Sequence, residues 1–226
     1  MTVPSLWLAA HLANVDIVTP TLAGACGVVA VGLTVLAVRS RRQTLRKIVR
    51  ESLGVHIIGG LVSIAAGIMI EKRLDAFITY PAVLVVIPPF LAMCGAVGGI
   101  FSARVSTKLH LGLVDASHFR LLAVVEDLAV AVALALPMFL ALGASADVVG
   151  ALAGLASPGA LEMVEVILLA GGVSIAALLV IGYLGTVTTY RFGLDPDNFA
   201  IPVVTSTLDL LGAAAVILAL VVVGVI

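Results

Sequence analysis

An acidic residue, Asp209, lies inside the long apolar run that ends the chain. From Pro196 onward this run has 31 residues, which is ~46 Å as a helix, against ~30 Å for the core of a bilayer. Asp209 comes 13 residues after Pro196, or ~20 Å along the helix, near the middle of a membrane. A carboxylate there is costly unless it faces water, a cation or an opposite charge. The position therefore predicts that Asp209 faces inward.

The neighbours of Asp209 at helical spacing are small or polar. Steps of three and four place them on one helix face: Asn198, Pro202, Thr205, Ser206, Asp209, Gly212 and Ala213. Hard divalent cations prefer oxygen ligands, and Mg2+ keeps much of its water shell while taking only one or two carboxylates. The face therefore predicts a cation site. The structural alternative is a protonated Asp209 bonded to a backbone carbonyl, or an aspartate that joins two helices.

Two further acidic pairs lie near predicted helix ends. Glu126 and Asp127 are adjacent near the start of a fourth apolar run, and Glu162 and Glu165 share a face near the start of a fifth. Each pair is a candidate vestibule that concentrates cations. Hydrated acids at the membrane interface are the alternative, more so for Glu162 and Glu165.

The third apolar run carries a stripe of small residues that favours helix packing over an ion path: Gly95, Gly98, Gly99, Ser102 and Ser106.

His110 and His118 flank Asp115 at a spacing that matches no compact metal motif, so we predict no transition-metal site there. Cys26 and Cys94 fall inside apolar runs and are interpreted as packing residues. No catalytic or nucleotide-binding motif occurs, so we do not expect an enzyme.

Composition predicts the fold class. The 226 residues are 62% hydrophobic and 11% charged, and the mean hydropathy is +1.27. Long apolar runs separated by short polar segments are typical of an all-α, polytopic transmembrane bundle. We expect contact with membrane lipid, no soluble regulatory domain in this chain and no nucleic-acid partner.

Six spans are predicted, at residues 21–38, 53–70, 80–107, 119–142, 161–190 and 196–226, with a kink at Pro88-Pro89 in the third. On this scheme Lys72 and Arg73 lie on one side and the other ten of the twelve basic residues on the opposite side: Arg39, Arg41, Arg42, Arg46, Lys47, Arg50, Arg104, Lys108, Arg120 and Arg191. The positive-inside rule then predicts a multi-pass protein of the cell membrane with both termini outside.

One copy with a single central aspartate would leave one side of a cation path open to lipid. This favours a two-fold homodimer in which two Asp209 carboxylates face each other across the axis. Without a cation between them the two carboxylates would repel each other, and one would take up a proton.

Two stretches resemble a known family. Gly193-Leu194-Asp195-Pro196-Asp197-Asn198-Phe199-Ala200-Ile201-Pro202, followed by Thr205-Ser206-Thr207-Leu208-Asp209-Leu210-Leu211-Gly212, is similar to the last-helix signature of the MgtE-type magnesium channels and transporters and their eukaryotic solute-carrier relatives. The segment Ser102-Ala103-Arg104-Val105-Ser106-Thr107-Lys108-Leu109-His110-Leu111-Gly112 resembles the SRLST segment that ends the second core helix of that family.

The resemblance covers residues 48–226 and implies a five-helix ion-conducting domain, preceded at residues 1–47 by an extra helix and a basic linker. It also implies a homodimeric Mg2+ path in which Asp209 matches the central ion-binding aspartate. Thr205 matches a position whose backbone carbonyl faces the same site, and Glu71 falls where the family often has an acid at the end of its first core helix.

Two positions depart from the family pattern. Gly95 is followed by Ala96 where the family usually has Gly-Asn, which removes an amide that would orient the ion or its water. Ile201 replaces a polar residue found in some bacterial members. We include both Gly95 and Ala96 among the candidate metal-site residues.

The predicted function is therefore a Mg2+ channel or transporter that moves a divalent cation down its gradient. One alternative is an ion-coupled exporter or exchanger in which Glu126 and Asp127 are the coupling acids. Another is a non-conducting subunit that pairs with a related chain through the face between Gly95 and Ser106.

Overall fold

The computed structural model describes residues 18–40, 42–73, 77, 79–116 and 121–226. Within these ranges the chain forms six α-helices and one short 3-10 helix, Leu121–Val124. The α-helices are α1 (Val18–Val38), α2 (Gln43–Glu71), α3 (Ala82–His110), α4 (Val125–Ala153), α5 (Ala160–Arg191) and α6 (Pro196–Val223). The predicted all-α bundle is confirmed. Arg41, His118 and Arg120 lie outside the described residues.

Five of these helices, α2 to α6, are long and apolar enough to cross a membrane. The first predicted span falls on α1, whose segment Gly24–Val38 is a shorter apolar helix, and its crossing of the membrane stays a prediction. Contacts divide the chain into two units, Met1–Arg50 and Glu51–Ile226. The functional boundary at residue 47 also stays a prediction.

Helix boundaries differ most from the predicted ones in α2 and α4. Helix α2 begins at Gln43, ten residues before the predicted start, because the basic segment between is rich in good helix formers. Helix α4 continues past the predicted end at Leu142 to Ala153. It stops at Gly154, which takes a φ of +69° that glycine adopts without strain. Helix α4 begins at Val125, which places Glu126 and Asp127 in its first turn.

In the unit Glu51–Ile226, α3 packs against α4, α5 and α6, and α5 packs against α4 and α6. The core between them is filled by large buried side chains, among them Phe90, Phe101, Leu178 and Tyr183. Helices α3 and α6 come close because Gly98 lacks a side chain, and a Cβ there would lie 2.4 Å from Cδ1 of Leu208. This packing brings the middle of α3 against the middle of α6.

Contacts at the helix ends show which ends share a side of the bundle. The end of α3 meets the start of α4, where Arg104 pairs with Asp127. It also meets the end of α5, where the rings of His110 and Tyr190 lie 5.2 Å apart. At the opposite side the backbone N–H of Ala82 donates to the carbonyl oxygen of Ala156. The basic ends of α3 and α5 therefore lie together, and their placement in the cytoplasm stays a prediction.

Candidate cation site

Helix α6 places Asp209 at its own midpoint. The helix begins at Pro196, and the N-cap Asp195 accepts a hydrogen bond from the backbone N–H of Asp197. It ends at Val223, before the predicted end of the run, because Gly224 takes a φ of +82°. Asp209 is therefore 13 residues from the first residue and 14 from the last, or ~20 Å from either end.

The carboxylate of Asp209 lies between α2 and α3. The hydroxyl of Ser63 on α2 donates to Oδ2 at 3.0 Å. The other oxygen, Oδ1, lies on the side of Gly95, where a Cβ would be 4.0 Å from it. Asp209 remains only partly buried within the chain. It therefore has a neutral hydroxyl partner on the α2 side and, at Gly95, no side chain of α3 on the other side.

The polar face of α6 divides between two neighbouring helices. Thr205 lies with Asp209 near Gly95, since a Cβ at Gly95 would be 3.9 Å from the Cβ of Thr205. Ser206 faces α2 instead, and a Cβ at Gly59 would lie 2.4 Å from its Oγ. Of the predicted residues, Gly95, Thr205 and Asp209 are thus brought together, with Ser206 beside them on the α2 side.

Sequence reasoning missed Ser63 and Gly59. A weak signal was present, because Gly59 and Ser63 are small residues four apart in α2, but Gly60, Ala66 and Gly67 nearby are small as well. Nothing in that spacing shows which neighbouring helix the pair faces. The structure decides this by placing both residues against α6.

The small-residue stripe of α3 falls into two rows. Gly98, Ser102 and Ser106 are buried in the core, as expected for helix packing. Gly95 and Gly99 are only partly buried, although they face α6 as Gly98 does, and a Cβ at Gly99 would lie 3.7 Å from Cγ2 of Ile201. Ala96, next to Gly95, is exposed at the surface of the single chain.

The remaining predicted acids lie away from Asp209. Glu71 is the last residue of α2 and is exposed, eight residues or ~12 Å beyond Ser63. Glu126 is exposed, whereas Asp127 is fully buried. Oδ1 of Asp127 accepts from Nε of Arg104 at 2.8 Å, and Nζ of Lys108 lies 2.6 Å from Oδ2. Asp127 therefore joins the end of α3 to the start of α4, and its predicted role toward cations stays a prediction.

A second polar cluster joins the starts of α2 and α6. The side-chain amide of Asn198 donates to Oε2 of Glu51 at 3.4 Å and to Oδ2 of Asp195 at 3.2 Å. Further along both helices, Ser63 meets Asp209. The two contacts occur in the same order on α2 and α6, so these helices run in the same direction.

Glu162 and Glu165 lie in the first two turns of α5.

One copy of the chain offers few ligands to an ion. Among the described residues, no group of three or more His, Cys, Asp and Glu side chains is arranged to hold a metal. A single carboxylate with three nearby hydroxyl-bearing residues, Ser63, Thr205 and Ser206, cannot replace a hydration shell. Such a site suits contact with a cation that keeps most of its water.

Long apolar helices around a carboxylate at mid-span define a multi-pass integral membrane protein with a candidate ion site. The model of the MgtE family, described as a divalent cation transporter, matches residues 87–219, more than half of the chain. The chain therefore belongs to the MgtE family of divalent cation transporters. Comparisons with curated proteins and with solved structures found no match. The matched region contains Gly95, Thr205 and Asp209.

Proposed function

We propose that this chain carries Mg2+ across the cell membrane, down its electrochemical gradient, with Asp209 at the centre of a path between two copies of the chain. Family membership supports the transport of divalent cations. One observation carries the rest of the proposal, namely that the carboxylate at the midpoint of α6 is only partly buried within one copy.

The exposure of Asp209 supports the homodimer. A carboxylate facing acyl chains at the bilayer centre would cost several kcal/mol, so its open side needs a polar cover. The adjoining surface is formed by Gly95, partly buried, and Ala96, exposed. A second copy related by a two-fold axis would place its own Asp209 opposite the first. A cation between the two carboxylates would relieve their repulsion.

The small number of ligands supports Mg2+ as the transported ion. Two carboxylates with the hydroxyl or carbonyl oxygens of Thr205 and Ser206 fit an ion that stays largely hydrated, whereas Ca2+ takes six to eight oxygen ligands. Exposed Glu71 and Glu126 at helix ends would concentrate cations near the path.

The membrane potential supplies the driving force. With the basic ends of α3 and α5 in the cytoplasm and both termini outside, an inside-negative potential draws a divalent cation inward with ~4.6 kcal/mol per 100 mV. The proposed activity is transport, with no catalytic step.

Mg2+ flux into liposomes that contain the purified full chain tests the proposal. Wild type is expected to conduct, and Asp209→Ala is expected to reduce the flux about a hundredfold, because a charge partner worth ~3 kcal/mol in the membrane is lost. Asp147→Asn, which changes an acid of α4 outside the site, is the control and is expected to conduct like wild type.

Equal flux through wild type and Asp209→Ala would remove Asp209 from the path. Flux that appears only when a related chain is added would favour the non-conducting subunit, for which the absence of an amide at Ala96 is the motivating feature.

A further inference from the structure

We propose that Ser63 is a specificity-determining residue of this path. Its hydroxyl occupies Oδ2 of Asp209 and leaves Oδ1 for the cation, which favours Mg2+ over Ca2+. The inference rests on the proposed function and adds to it a residue of α2, a helix that precedes the matched region of the family.

The hydrogen bond is held by the register of two helices. Three contacts link α2 to α6 in order along both helices, from Glu51 with Asn198, through Gly59 against Ser206, to Ser63 with Asp209. Because the contact residues of α2 are eight and four positions apart, they lie on one face of that helix. The spacing of the two backbones therefore brings the Ser63 hydroxyl to Asp209, and the two contacts N-terminal to it resist sliding of either helix.

The chemical consequence follows from how the two ions use carboxylates. Ca2+ takes many oxygen ligands and often binds both oxygens of one carboxylate, whereas Mg2+ keeps several waters in a strict octahedron. The hydroxyl hydrogen bond takes one of the two lone pairs of Oδ2 and directs that oxygen toward α2, which makes it a poorer second ligand for an ion bound at Oδ1. Ser63 thus disfavours the two-oxygen mode of Asp209, which is the mode that Ca2+ uses and Mg2+ does not need.

The space beside Oδ1 supports the same assignment. Gly95 has no side chain, and the nearest atoms to a Cβ placed there lie 3.9 Å and 4.0 Å away, on Thr205 and on Oδ1 itself. Because Gly95 places no side chain over Oδ1, that oxygen is the one left open to an ion, while Oδ2 is turned toward α2.

The test measures the binding of Mg2+ alone and of Ca2+ alone to the purified full chain by calorimetric titration, with liposome flux as a second readout. Ser63→Ala is expected to lower the ratio of Mg2+ to Ca2+ affinity about tenfold, because one hydrogen bond to a charged group is lost. Ser63→Thr keeps the hydroxyl and is expected to restore the ratio. Ile64→Ala, a neighbouring exposed position on α2, is the matched control and is expected to leave it unchanged.

A double-mutant comparison separates this role from a merely structural one. If Ser63 acts through the carboxylate, Ser63→Ala has no effect on ion preference in the Asp209→Ala background. If Ser63→Ala does not yield folded protein, Ser63→Cys replaces the hydroxyl with a weak donor of similar size and is expected to show the same loss of preference.

Two results would overturn the inference. In the first, Ser63→Ala keeps the wild-type ratio of Mg2+ to Ca2+ affinity while Asp209→Ala abolishes flux. That result would overturn the role of Ser63 and leave the proposed function standing. The other is a loss of preference that Ser63→Thr does not restore. Wild-type flux through Asp209→Ala would instead count against the proposed function itself.

Discussion

Two carboxylates in this chain have contrasting surroundings. Asp127 is fully buried, with Arg104 and Lys108 at its two oxygens. Asp209 is partly buried, and the hydroxyl of Ser63 donates to one of its oxygens. A carboxylate already held by two protein cations has to give one up before it can bind a passing ion, whereas Asp209 does not. Ion pairing therefore distinguishes Asp127, the acid that joins two helices, from Asp209, the candidate transport acid.

The structural role of Asp127 leads to a stability prediction. Asp127→Asn removes the charge that holds Lys108 and Arg104, and is expected to cost about 2 kcal/mol. Arg104, with 44% of its side chain exposed, regains water and contributes little to this cost. The apparent melting temperature in detergent should fall by ~4–8 °C.

The matched control for Asp127 is its exposed neighbour. Glu126→Gln is expected to have the same apparent melting temperature as wild type, because the side chain of Glu126 lies at the surface. A different result would favour the ion-coupled exchanger. In that case Asp127→Asn would have the melting temperature of wild type but would lose a Mg2+ flux that depends on an imposed pH or Na+ gradient.

Helix α2 meets the rest of its unit along one narrow face. Val55, Gly59 and Ala66 are buried, whereas Ile58 and Leu61 on the other faces are more than half exposed within one copy. Since Ser63 lies on the narrow face, the position of α2 controls the hydrogen bond to Asp209. A change in the separation of α2 and α6 therefore acts directly on the candidate site.

Adjacent glycines in α2 test this dependence. A Cβ at Gly59 would lie 2.4 Å from Oγ and 3.3 Å from Cβ of Ser206, so Gly59→Ala has to turn the Ser206 hydroxyl away and widen the gap between α2 and α6 by a few tenths of an ångström. We expect the ratio of Mg2+ to Ca2+ affinity to fall severalfold, in the same direction as for Ser63→Ala. Nothing lies within 4 Å of a Cβ at Gly60, so Gly60→Ala should bind both ions like wild type. Wild-type binding by both variants, with altered binding by Ser63→Ala, would show that the register of α2 does not hold the bond.

Two results in α3 and α4 show where helix-level prediction stops. The sequence places a small-residue stripe on α3, and the structure divides it into a buried row and a partly buried row. Hydropathy locates the fourth span, but its end depends on Gly154 and not on the loss of apolar character. Periodicity shows which residues share a face, whereas the rotation of the helix within the bundle decides what that face contacts.

The assembled bundle leaves a carboxylate partly uncovered at the middle of its membrane-spanning region. The proposed homodimer covers this surface with a second copy, which makes the face around Ala96 an interface. Helix α4 packs against α3 and α5, and its exposed Leu140 lies at a similar depth in the membrane. The two positions can therefore report different faces of the same copy.

Thiol cross-linking tests this interface. In a Cys26→Ala background, which retains the buried Cys94, Ala96→Cys treated with a short bifunctional thiol reagent is expected to give a covalent dimer in membranes. Leu140→Cys is expected to remain monomeric. Cross-linking through Leu140→Cys and not through Ala96→Cys would move the dimer interface to α4 and separate the two Asp209 side chains.

The sequence by itself determined the membrane class, the order of the apolar helices, the position of Asp209 midway along the last helix and the resemblance to the MgtE family. These are properties of local composition, of distance along one helix and of short motifs, so no neighbouring helix is needed to read them. Only the tertiary structure decided that Ser63 holds Oδ2 of Asp209, that Asp127 is paired with Arg104 and Lys108, and that Gly95 lies beside the carboxylate. Each of these depends on how residues distant in the chain meet, which is set by the rotation and register of packed helices.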